Sequence, residues 1–558
     1  MKDRYIDLME TVVSTYDVSR LRQYTDEVMQ RGIAEHGFPR ITANIGILIA
    51  HGRKTELTEI FLEMMDLCCR EIPLGLEKNG GGAGNDFSVK EIVCCILEIE
   101  KAQIVPAGVT NQWRKELANI EPKKTYTKIA PVPVAPVNNW AAFGACSEQL
   151  RKYAGIGDES EFIDNQIASQ IFSFDEQGMY RDPNEPMVYD MVTRLQLAVA
   201  LHFGYDGKSK AELEELLMKS ADATLAMQSV TGEIPYGGRS NQFLHNEAFF
   251  AALCEFYAGE FKKRGDSKKA GQFKRAARIA TESILPWLED EKKPHVKNHY
   301  ATDSHYGCEV YAYYMKYMVT VASWLYLAYA MADDSIPETE CPAEKGGMVF
   351  CTSKYFHKVF CSCGGYFAEF DTAADPHYDA SGLGRIHKNG VPSALCLSTP
   401  CPEYPNYTVD VETPTPLSIC GGIKVGGKYW YSCGSGVNHQ LTDKTVSENA
   451  VEVRFVCSLD NGGMVTETCR LSESGVIFTV EGDGELEILF PVFAFDGATE
   501  TEIAQNDHQV MVRYQGFSCR FTTEDTITDK QEVCANRNGH YRKMAVSGRD
   551  KISLAIEM

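Results

Sequence analysis

A turn-rich loop at residues 232–247 concentrates polar side chains immediately before an apolar helical segment. The loop reads GEIPYGGRSNQFLHNE and the segment that follows reads AFFAALCEFYAGEF. Helix starts offer unpaired N–H groups and partial positive charge to a ligand, and arginine offers a planar donor fork to a carboxylate. The alternative is an ordinary helix N-terminus. The loop provides these candidate residues: Glu233, Tyr236, Arg239, Asn241, Gln242, His245, Asn246 and Glu247.

A second polar cluster, at residues 297–317, reads KNHYATDSHYGCEVYAYYMKY and also precedes an apolar helix. Tyrosines at 311, 314 and 317 have helical spacing, which favours packing over function. The histidine-rich part is harder to explain by packing. It provides Lys297, Asn298, His299, Tyr300, Asp303, His305, Tyr306 and Glu309 as candidates.

A third cluster, DTAADPHYDASGLGRIHKNG at residues 371–390, opens the β-rich part of the chain. Its candidates are Asp375, His377, Asp379, Arg385 and His387, and the alternative interpretation is a solvated hairpin. His377 and Asp379 are two possible ligands for a divalent metal, but no third ligand can be named. We therefore predict no metal and no other cofactor.

Two kinds of element position these clusters. Apolar residues three and four apart predict about a dozen helices over residues 1–336, and short β-rich runs with turn signals predict an antiparallel β-sandwich over residues 337–558. Paired antiparallel helices can stack as a solenoid or close into a ring. We favour closure, because no strict repeat is visible. The fold class is thus an N-terminal (α/α) toroid followed by a C-terminal antiparallel β-sandwich.

Charge and composition exclude several kinds of partner. The chain of 558 residues has a formal net charge of -22, so nucleic acid and anionic membrane surfaces would be repelled. The N-terminus, MKDRYIDLMETVV, lacks the apolar stretch of a secretory signal, and no later stretch could span a membrane. We therefore predict a cytoplasmic protein with reduced cysteines, and exposed sheet edges suggest a homodimer.

The asparagine pair and tryptophan at 138–140 and the segment PHYDASGLGRIHKNGVPSAL resemble the heparinase II/III-like superfamily. The resemblance implies the same order of an α/α toroid and an antiparallel β-sandwich. Its polysaccharide lyases cleave beside a uronic acid with Asn or His and Tyr from the toroid and His from the first sandwich hairpin. On this resemblance, His245 and Tyr300 are candidates for the first two roles.

The hairpin departs from the lyase pattern. Lyase hairpins usually read His-x-His-x-Asp, whereas the matching positions here are Asp375, His377 and Asp379. A carboxylate in place of the first histidine is compatible with a hydrolase, which uses one carboxyl as acid and another as base or nucleophile. The segment GRSNQFLHNEA also resembles the glucuronidases of glycoside hydrolase family 154.

The first functional hypothesis is therefore a glycoside hydrolase that removes a terminal uronic acid, specifically β-glucuronate, from an oligosaccharide. Glu247 or Glu309 would oppose Asp375 or Asp379 across a cleft between the domains. Arg239, with Lys297 or Arg385, would hold the uronate carboxylate, and Tyr236, Tyr300 and Tyr306 would stack on the sugar. The remaining binding candidates are Asn241, Gln242, Asn298, His299, His305, His377 and His387.

Two alternatives stay open. In a lyase, Tyr300 and His245 would act as base and acid while Asn241 or Arg239 neutralises the uronate carboxylate. In a noncatalytic glycan-binding protein, the same architecture would be kept without turnover.

Overall fold

The computed structural model describes residues 1–79, 85–412 and 415–558. Helices dominate as far as residue 345, and strands dominate from residue 348 onward. The α-helices of the described residues are α1 (Lys2–Val13), α2 (Val18–Arg31), α3 (Gly37–Ala50), α4 (Thr58–Glu71), α5 (Gly75–Lys78), α6 (Val89–Ala102), α7 (Ala107–Leu117), α8 (Pro122–Thr125), α9 (Trp140–Tyr153), α10 (Ser160–Ile171), α11 (Met187–His202), α12 (Lys210–Lys219), α13 (Ala221–Ala226), α14 (His245–Lys263), α15 (Ser267–Ser283), α16 (Leu285–Glu289), α17 (Tyr314–Met331) and α18 (Pro342–Lys345).

Six of these helices form a closed inner ring. Helix α3 contacts α6, and the contacts continue through α9, α11 and α14 to α17, which returns to α3. The outer helices α4, α10 and α15 lie against α3, α9 and α14, and α1 lies against α17. The predicted closure into a toroid is therefore confirmed.

Burial separates the two layers. Every residue of the inner helix α14 from 245 to 258 is buried, because this helix has neighbours on all sides. The outer helix α15 buries one stripe that includes Ala270, Phe273 and Ala277 and exposes Lys268 on its other face. An all-round apolar sequence suits the inner layer, and an amphipathic sequence suits the outer layer.

The C-terminal part forms two antiparallel sheets. Its strands are β1 (Met348–Cys351), β2 (Lys358–Cys363), β3 (Tyr366–Asp371), β4 (Gly382–Lys388), β5 (Cys420–Val425), β6 (Lys428–Tyr431), β7 (Asn438–Val446), β8 (Ala450–Ser458), β9 (Met464–Ser472), β10 (Gly475–Phe495), β11 (Glu502–Asn506), β12 (Gln509–Tyr514), β13 (Phe517–Thr522), β14 (Thr526–Asn536) and β15 (Gly539–Glu557). Strands β1 to β4 pair in order, and the remaining eleven form the larger sheet, in which β10 and β15 are central. Apolar side chains from both sheets share one core, so the predicted antiparallel β-sandwich is confirmed.

The nineteen cysteines are free thiols, and all except Cys351 are buried. This agrees with the prediction of reduced cysteines. Among the described residues, no helix combines the length and the apolar character that a membrane span needs.

Candidate functional site

A cleft of about 530 Å³ opens at the mouth of the toroid, where the N-terminal ends of the inner helices meet. Its aromatic walls suit the apolar faces of sugar rings, and its polar groups converge from five of the six inner helices. The cleft is lined by His36, Arg40, Phe87, Asn138, Asn139, Trp140, Phe143, Asp182, Pro183, Asn184, Val188, Tyr189, Val192, Arg239, His245, Tyr311, Lys316, Tyr317, Thr320 and Trp324.

Two cations lie side by side in this cleft, on adjacent inner helices. Arg40 of α3 is buried and donates from Nη1 to Thr320 Oγ1 (2.7 Å) and to His36 Nδ1 (2.8 Å). Lys316 of α17 is half-buried, and among the described residues no carboxylate oxygen lies within 4.0 Å of its ammonium nitrogen. Burial lowers the pKa of Lys316. Arg40 Nε is paired with the buried Glu91 at 3.1 Å, so Lys316 is the cation of the two that offers unpaired positive charge to an anionic ligand.

His245 begins α14 and faces the cleft. Burial, aided by the positive charge of Arg40, lowers the pKa of its imidazole to about 3, so the ring is neutral at physiological pH. Its Nδ1 atom has no hydrogen-bond partner among the described residues. The ring meets that of Tyr317 edge to face, with centroids 5.2 Å apart. A neutral imidazole beside a phenol provides one group able to accept a proton and one able to donate a proton.

Burial raises the pKa of Tyr317 well above its usual value, with smaller contributions from Tyr189 and Tyr311. Tyr311 is 39% exposed at the rim of the cleft, and burial of its hydroxyl also raises its pKa. The Tyr311 hydroxyl lies 2.9 Å from Ser240 Oγ, which also lies 3.2 Å from the Tyr189 hydroxyl. Tyr311 and Tyr317 therefore keep their protons at neutral pH.

Arg239 and Asp182 form an ion pair at the edge of the cleft. The guanidinium also donates to Pro183 O (2.8 Å) and lies 4.3 Å above the ring centre of Tyr189. Burial raises the pKa of Asp182, and its Oδ1 atom has no hydrogen-bond partner within the described chain. The predicted carboxylate-binding Arg239 thus lines the cleft with its donors partly occupied.

Glu309 holds the polar loop instead of facing the cleft. Its carboxylate pairs with the buried Arg537 at 2.6 and 3.1 Å, and Oε1 accepts from the backbone N–H of Ser240 at 2.6 Å. Ser240 has φ of 61° and Gln242 has φ of 66°, a left-handed conformation that non-glycine residues rarely adopt. The surrounding bonds impose this conformation on the loop, as is common at functional sites.

Glu247 lies inside the helical domain, in a buried charge cluster. Lys297 Nζ lies 2.8 Å from its Oε1 and 2.9 Å from Glu233 Oε2. Burial raises the pKa of Glu247, whereas the lysine and His387 hold that of Glu233 below its usual value. Glu233, Glu247 and Lys297 are almost completely buried. Two carboxylates that share one buried lysine stabilise the folded conformation of the polar loop.

The first sandwich hairpin closes the space between the domains where a catalytic cleft was predicted. The Gly238 N–H donates to Asp379 Oδ2 at 2.7 Å, and Arg385 donates to Ile234 O at 2.7 Å. Asp375 and His377 lie on the outside, where the His377 Nδ1 is 3.0 Å from Asp375 Oδ1. Asp375 thus lies outside, whereas Asp379 and Glu309 both accept from backbone N–H groups of the loop, those of Gly238 and Ser240, and neither lines the cleft.

Asp379 is nevertheless unusual. Its carboxyl is fully buried, and burial raises its pKa to about 7. Nearby, the Lys358 ammonium lies 3.3 Å above the ring centre of Tyr236 and pairs with Asp371 (3.0 Å) and Glu369 (3.3 Å). Tyr236 is fully buried in this cluster, so its ring faces lysine and not the cleft.

Several further candidates hold the polar loop in place or tie it to the sandwich. Arg385 pairs with Glu369 at 3.2 Å, and His387 Nδ1 lies 2.7 Å from Ser229 Oγ. Gln242 Oε1 accepts from Asn538 at 3.2 Å, and Asn241 Nδ2 donates to Gly238 O at 2.6 Å. These four side chains are buried and do not line the cleft.

Tyr300 lies in a separate aromatic group against the sandwich. Its ring stacks on that of Tyr306 with centroids 3.6 Å apart, and its hydroxyl lies 3.0 Å from His540 Nε2. Around it, Asn298 donates to Arg537 O (2.9 Å), and His299 Nδ1 lies 3.0 Å from Asp290. The ring of His305 packs against Tyr313. Tyr300 and His245 therefore do not share the cleft.

Of the predicted site residues, the structure places Arg239 and His245 in the cleft, together with the 138–140 segment that carries the resemblance. Sequence reasoning missed Arg40, Lys316, Tyr317 and Asp182. The helical spacing of Tyr317 from its neighbouring tyrosines predicts a packing role. The sequence signal for a functional role is Lys316, a charged residue next to Tyr317 at the start of the apolar helix α17.

No family model matches the chain, and no curated protein matches it. Among solved structures, heparinase III is 8% identical over an alignment that covers 93% of this chain and 75% of that one, with a TM-score of 0.49. A heparan sulfate lyase from Pedobacter heparinus is 8% identical, with the same coverage and a TM-score of 0.44. A chondroitin lyase that is a baculovirus envelope protein is 8% identical over 75% of this chain and 76% of its own length, with a TM-score of 0.24.

The resemblance to the heparinase II/III-like superfamily and the finer one to glycoside hydrolase family 154 both stay predictions from the sequence. At such identities and TM-scores, we take the fold from the helices and strands described above. The function is inferred from the cleft.

Proposed function

We propose that the chain is a lyase that cleaves an oligosaccharide beside a uronic acid by β-elimination in the cleft of the toroid. The observation that carries this proposal is the composition of the cleft. It combines a neutral histidine, protonated tyrosines and two adjacent cations. Among the described residues that line it, Asp182 is the one carboxylate, and that carboxylate is paired with Arg239.

Lys316 binds the carboxylate of the uronic acid, together with the part of the Arg40 guanidinium that its pair with Glu91 leaves free. Their charges offset the negative charge that spreads onto this carboxylate when the neighbouring C5 proton is removed. This makes the proton more acidic, which is the main obstacle in the reaction. The aromatic walls at Trp140 and Trp324 hold the sugar rings.

His245 accepts the C5 proton, because its imidazole is neutral and its Nδ1 is unpartnered among the described residues. Tyr317 donates its proton to the glycosidic oxygen as the C4–O bond breaks. The electron pair of the C5–H bond forms the C4–C5 double bond, and the leaving sugar departs with the glycosidic oxygen as the hydroxyl of its new reducing end. No water is consumed, and a proton returned from His245 to Tyr317 resets the site.

A hydrolase is the second candidate, on the strength of Asp182. Its carboxyl faces the cleft with a raised pKa, so it is suited to protonate a leaving oxygen. Hydrolysis also needs a second carboxylate to activate water or attack the sugar. The predicted partners Glu247 and Glu309 are paired with Lys297 and Arg537. Asp379 accepts from the Gly238 N–H, and none of the three lines the cleft, which favours the lyase.

The test is product analysis on a panel of uronate-containing oligosaccharides. Products are weighed by mass spectrometry while the ultraviolet absorbance of an unsaturated uronate is followed. New absorbance without a gain of water supports the lyase, and a gain of water without absorbance supports the hydrolase. Binding without turnover across the panel would support the noncatalytic alternative.

A further inference from the structure

Three metal-ligating side chains meet inside the β-sandwich, in a part of the molecule that the proposed reaction does not use. They are His439 on β7, Cys457 on β8 and Glu467 on β9, three adjacent antiparallel strands. His439 is the register partner of Cys457. Glu467 is two residues along from Val465, the register partner of Cys457. Because side chains alternate along a strand, all three point to the same face.

That face is otherwise apolar. The inward positions of β9 are Val465, Glu467, Cys469 and Leu471, all of them buried, so one carboxylate interrupts a hydrophobic row. Buried carboxylates and imidazoles are costly unless a partner satisfies them. We therefore expect the buried Glu467 carboxylate to have a binding partner on this face.

The hydrogen bonds within the cluster leave several ligand atoms free. Neither ring nitrogen of His439, a residue only 8% exposed, has a hydrogen-bond partner in the described parts of the chain, and the same holds for Glu467 Oε2. The other carboxylate oxygen, Oε1, accepts from the Gly421 N–H at 2.7 Å and from the Ser432 hydroxyl. Such outer bonds orient a ligating carboxylate and leave its second oxygen available.

We propose that His439, Cys457 and Glu467 bind a zinc ion. One ligand atom from each residue lies within 4.8 Å of the others. Tetrahedral zinc with bonds of about 2.0–2.3 Å needs ligand atoms roughly 3.3–3.8 Å apart, so small side-chain rotations bring the three protein ligands into range, and a water molecule takes the fourth position. A thiolate, an imidazole and a carboxylate together suit zinc better than calcium or magnesium, which prefer oxygen ligands alone.

The ion would tie three strands together beside the first hairpin. His439 neighbours Asp371 and Thr372, at the point where β3 leads into the loop that carries Asp379. The zinc is thus a structural element that supports the hairpin sealed against the toroid. It has no part in the elimination step.

The test uses the full chain without an affinity tag, stripped with a chelator and then reloaded with zinc chloride. We expect about one zinc per chain by elemental analysis, as for a structural site. We also expect a higher melting temperature, because an ion that binds the folded state stabilises it. Cys457→Ser and His439→Gln should lose the zinc. Cys469→Ser, a buried thiol on the same face of β9 but outside the cluster, should keep it.

Cobalt titration of the wild-type chain keeps the test decisive if a variant fails to fold. A thiolate-to-cobalt charge-transfer band should appear in the near ultraviolet and saturate at one equivalent. Absence of both zinc uptake and this band in the folded wild-type chain would overturn the proposal. Zinc bound equally well by a folded Cys457→Ser variant would overturn it too.

Discussion

The imidazole of His245 and the phenol ring of Tyr317 meet edge to face in the wall of the cleft, with ring centroids 5.2 Å apart and an interplanar angle of 67°. Helices α14 and α17, which are neighbours in the inner ring, bring the two side chains together. The proton acceptor and proton donor of the proposed elimination are therefore placed by the closure of the toroid.

His245→Gln should abolish most of the activity with little change in stability. Glutamine keeps a polar side chain of similar length but cannot accept the C5 proton as imidazole does, so kcat should fall by about 10²–10⁴-fold. The measurement is the initial rate of absorbance increase at saturating substrate. His305→Gln, whose ring packs against Tyr313 outside the cleft, is the control. A His245→Gln rate equal to that of the control would remove His245 from the mechanism.

Tyr317→Phe should be more damaging than Tyr300→Phe. The first change removes the proposed acid, which is expected to cost about 10²-fold or more in kcat. The second removes a hydroxyl that lies 3.0 Å from His540 outside the cleft. The sequence alone pointed to Tyr300, so the two variants, assayed side by side, separate the two assignments. Loss of activity in Tyr300→Phe alone would assign the catalytic role to Tyr300 and not to Tyr317.

Lys316→Met should raise KM for uronate substrates by about 10–100-fold, because a charge-assisted bond to the carboxylate contributes roughly 1.5–3 kcal/mol. Lys262→Met, which breaks an exposed pair with Asp333, is the matched control. The comparison requires steady-state kinetics on a uronate oligosaccharide and on its carboxyl-reduced analogue. A KM that Lys316→Met leaves unchanged would mean that the uronate carboxylate does not bind at Lys316.

The charge cluster around Lys297 should matter for stability and not for chemistry. Lys297→Met leaves Glu233 and Glu247 buried without their cation, and such a loss typically costs about 3–5 kcal/mol in the free energy of unfolding. Glu247→Gln should remain active, which urea denaturation and rate measurements on the same samples can check. If Glu247→Gln is folded and inactive, Glu247 is catalytic after all.

The stability of the chain should fall as pH rises through the pKa of Asp379. Burial raises this pKa from 3.8 to about 7, so the folded state keeps a proton that the unfolded state releases between these values. The contribution is complete below about pH 4 and is lost as pH approaches and passes 7. In urea denaturation from pH 4 to 8, Asp379→Asn should show a smaller loss than the wild type. Parallel profiles would mean that Asp379 titrates normally.

The sequence predicted the order of domains and the closed ring because helical and β periodicities are local properties that the tertiary fold preserves. It also found Arg239 and His245, since polar residues crowded into one loop are visible without a structure. Arg40 and Lys316 were not predicted as site residues, because each lies in an apolar helix. Only closure of the ring brings α3 beside α17. The sequence could not show that Tyr300 lies against the sandwich and outside the cleft, because spacing along the chain does not reveal which domain a loop faces.

The measurement that tests the central claim most directly is cleavage of a uronate oligosaccharide in water labelled with heavy oxygen. We predict that the products carry no label, that an unsaturated uronate appears in proportion to the bonds broken, and that His245→Gln and Tyr317→Phe suppress both products. Incorporation of one labelled oxygen per cleavage, without an unsaturated uronate, would contradict the elimination and indicate a hydrolase.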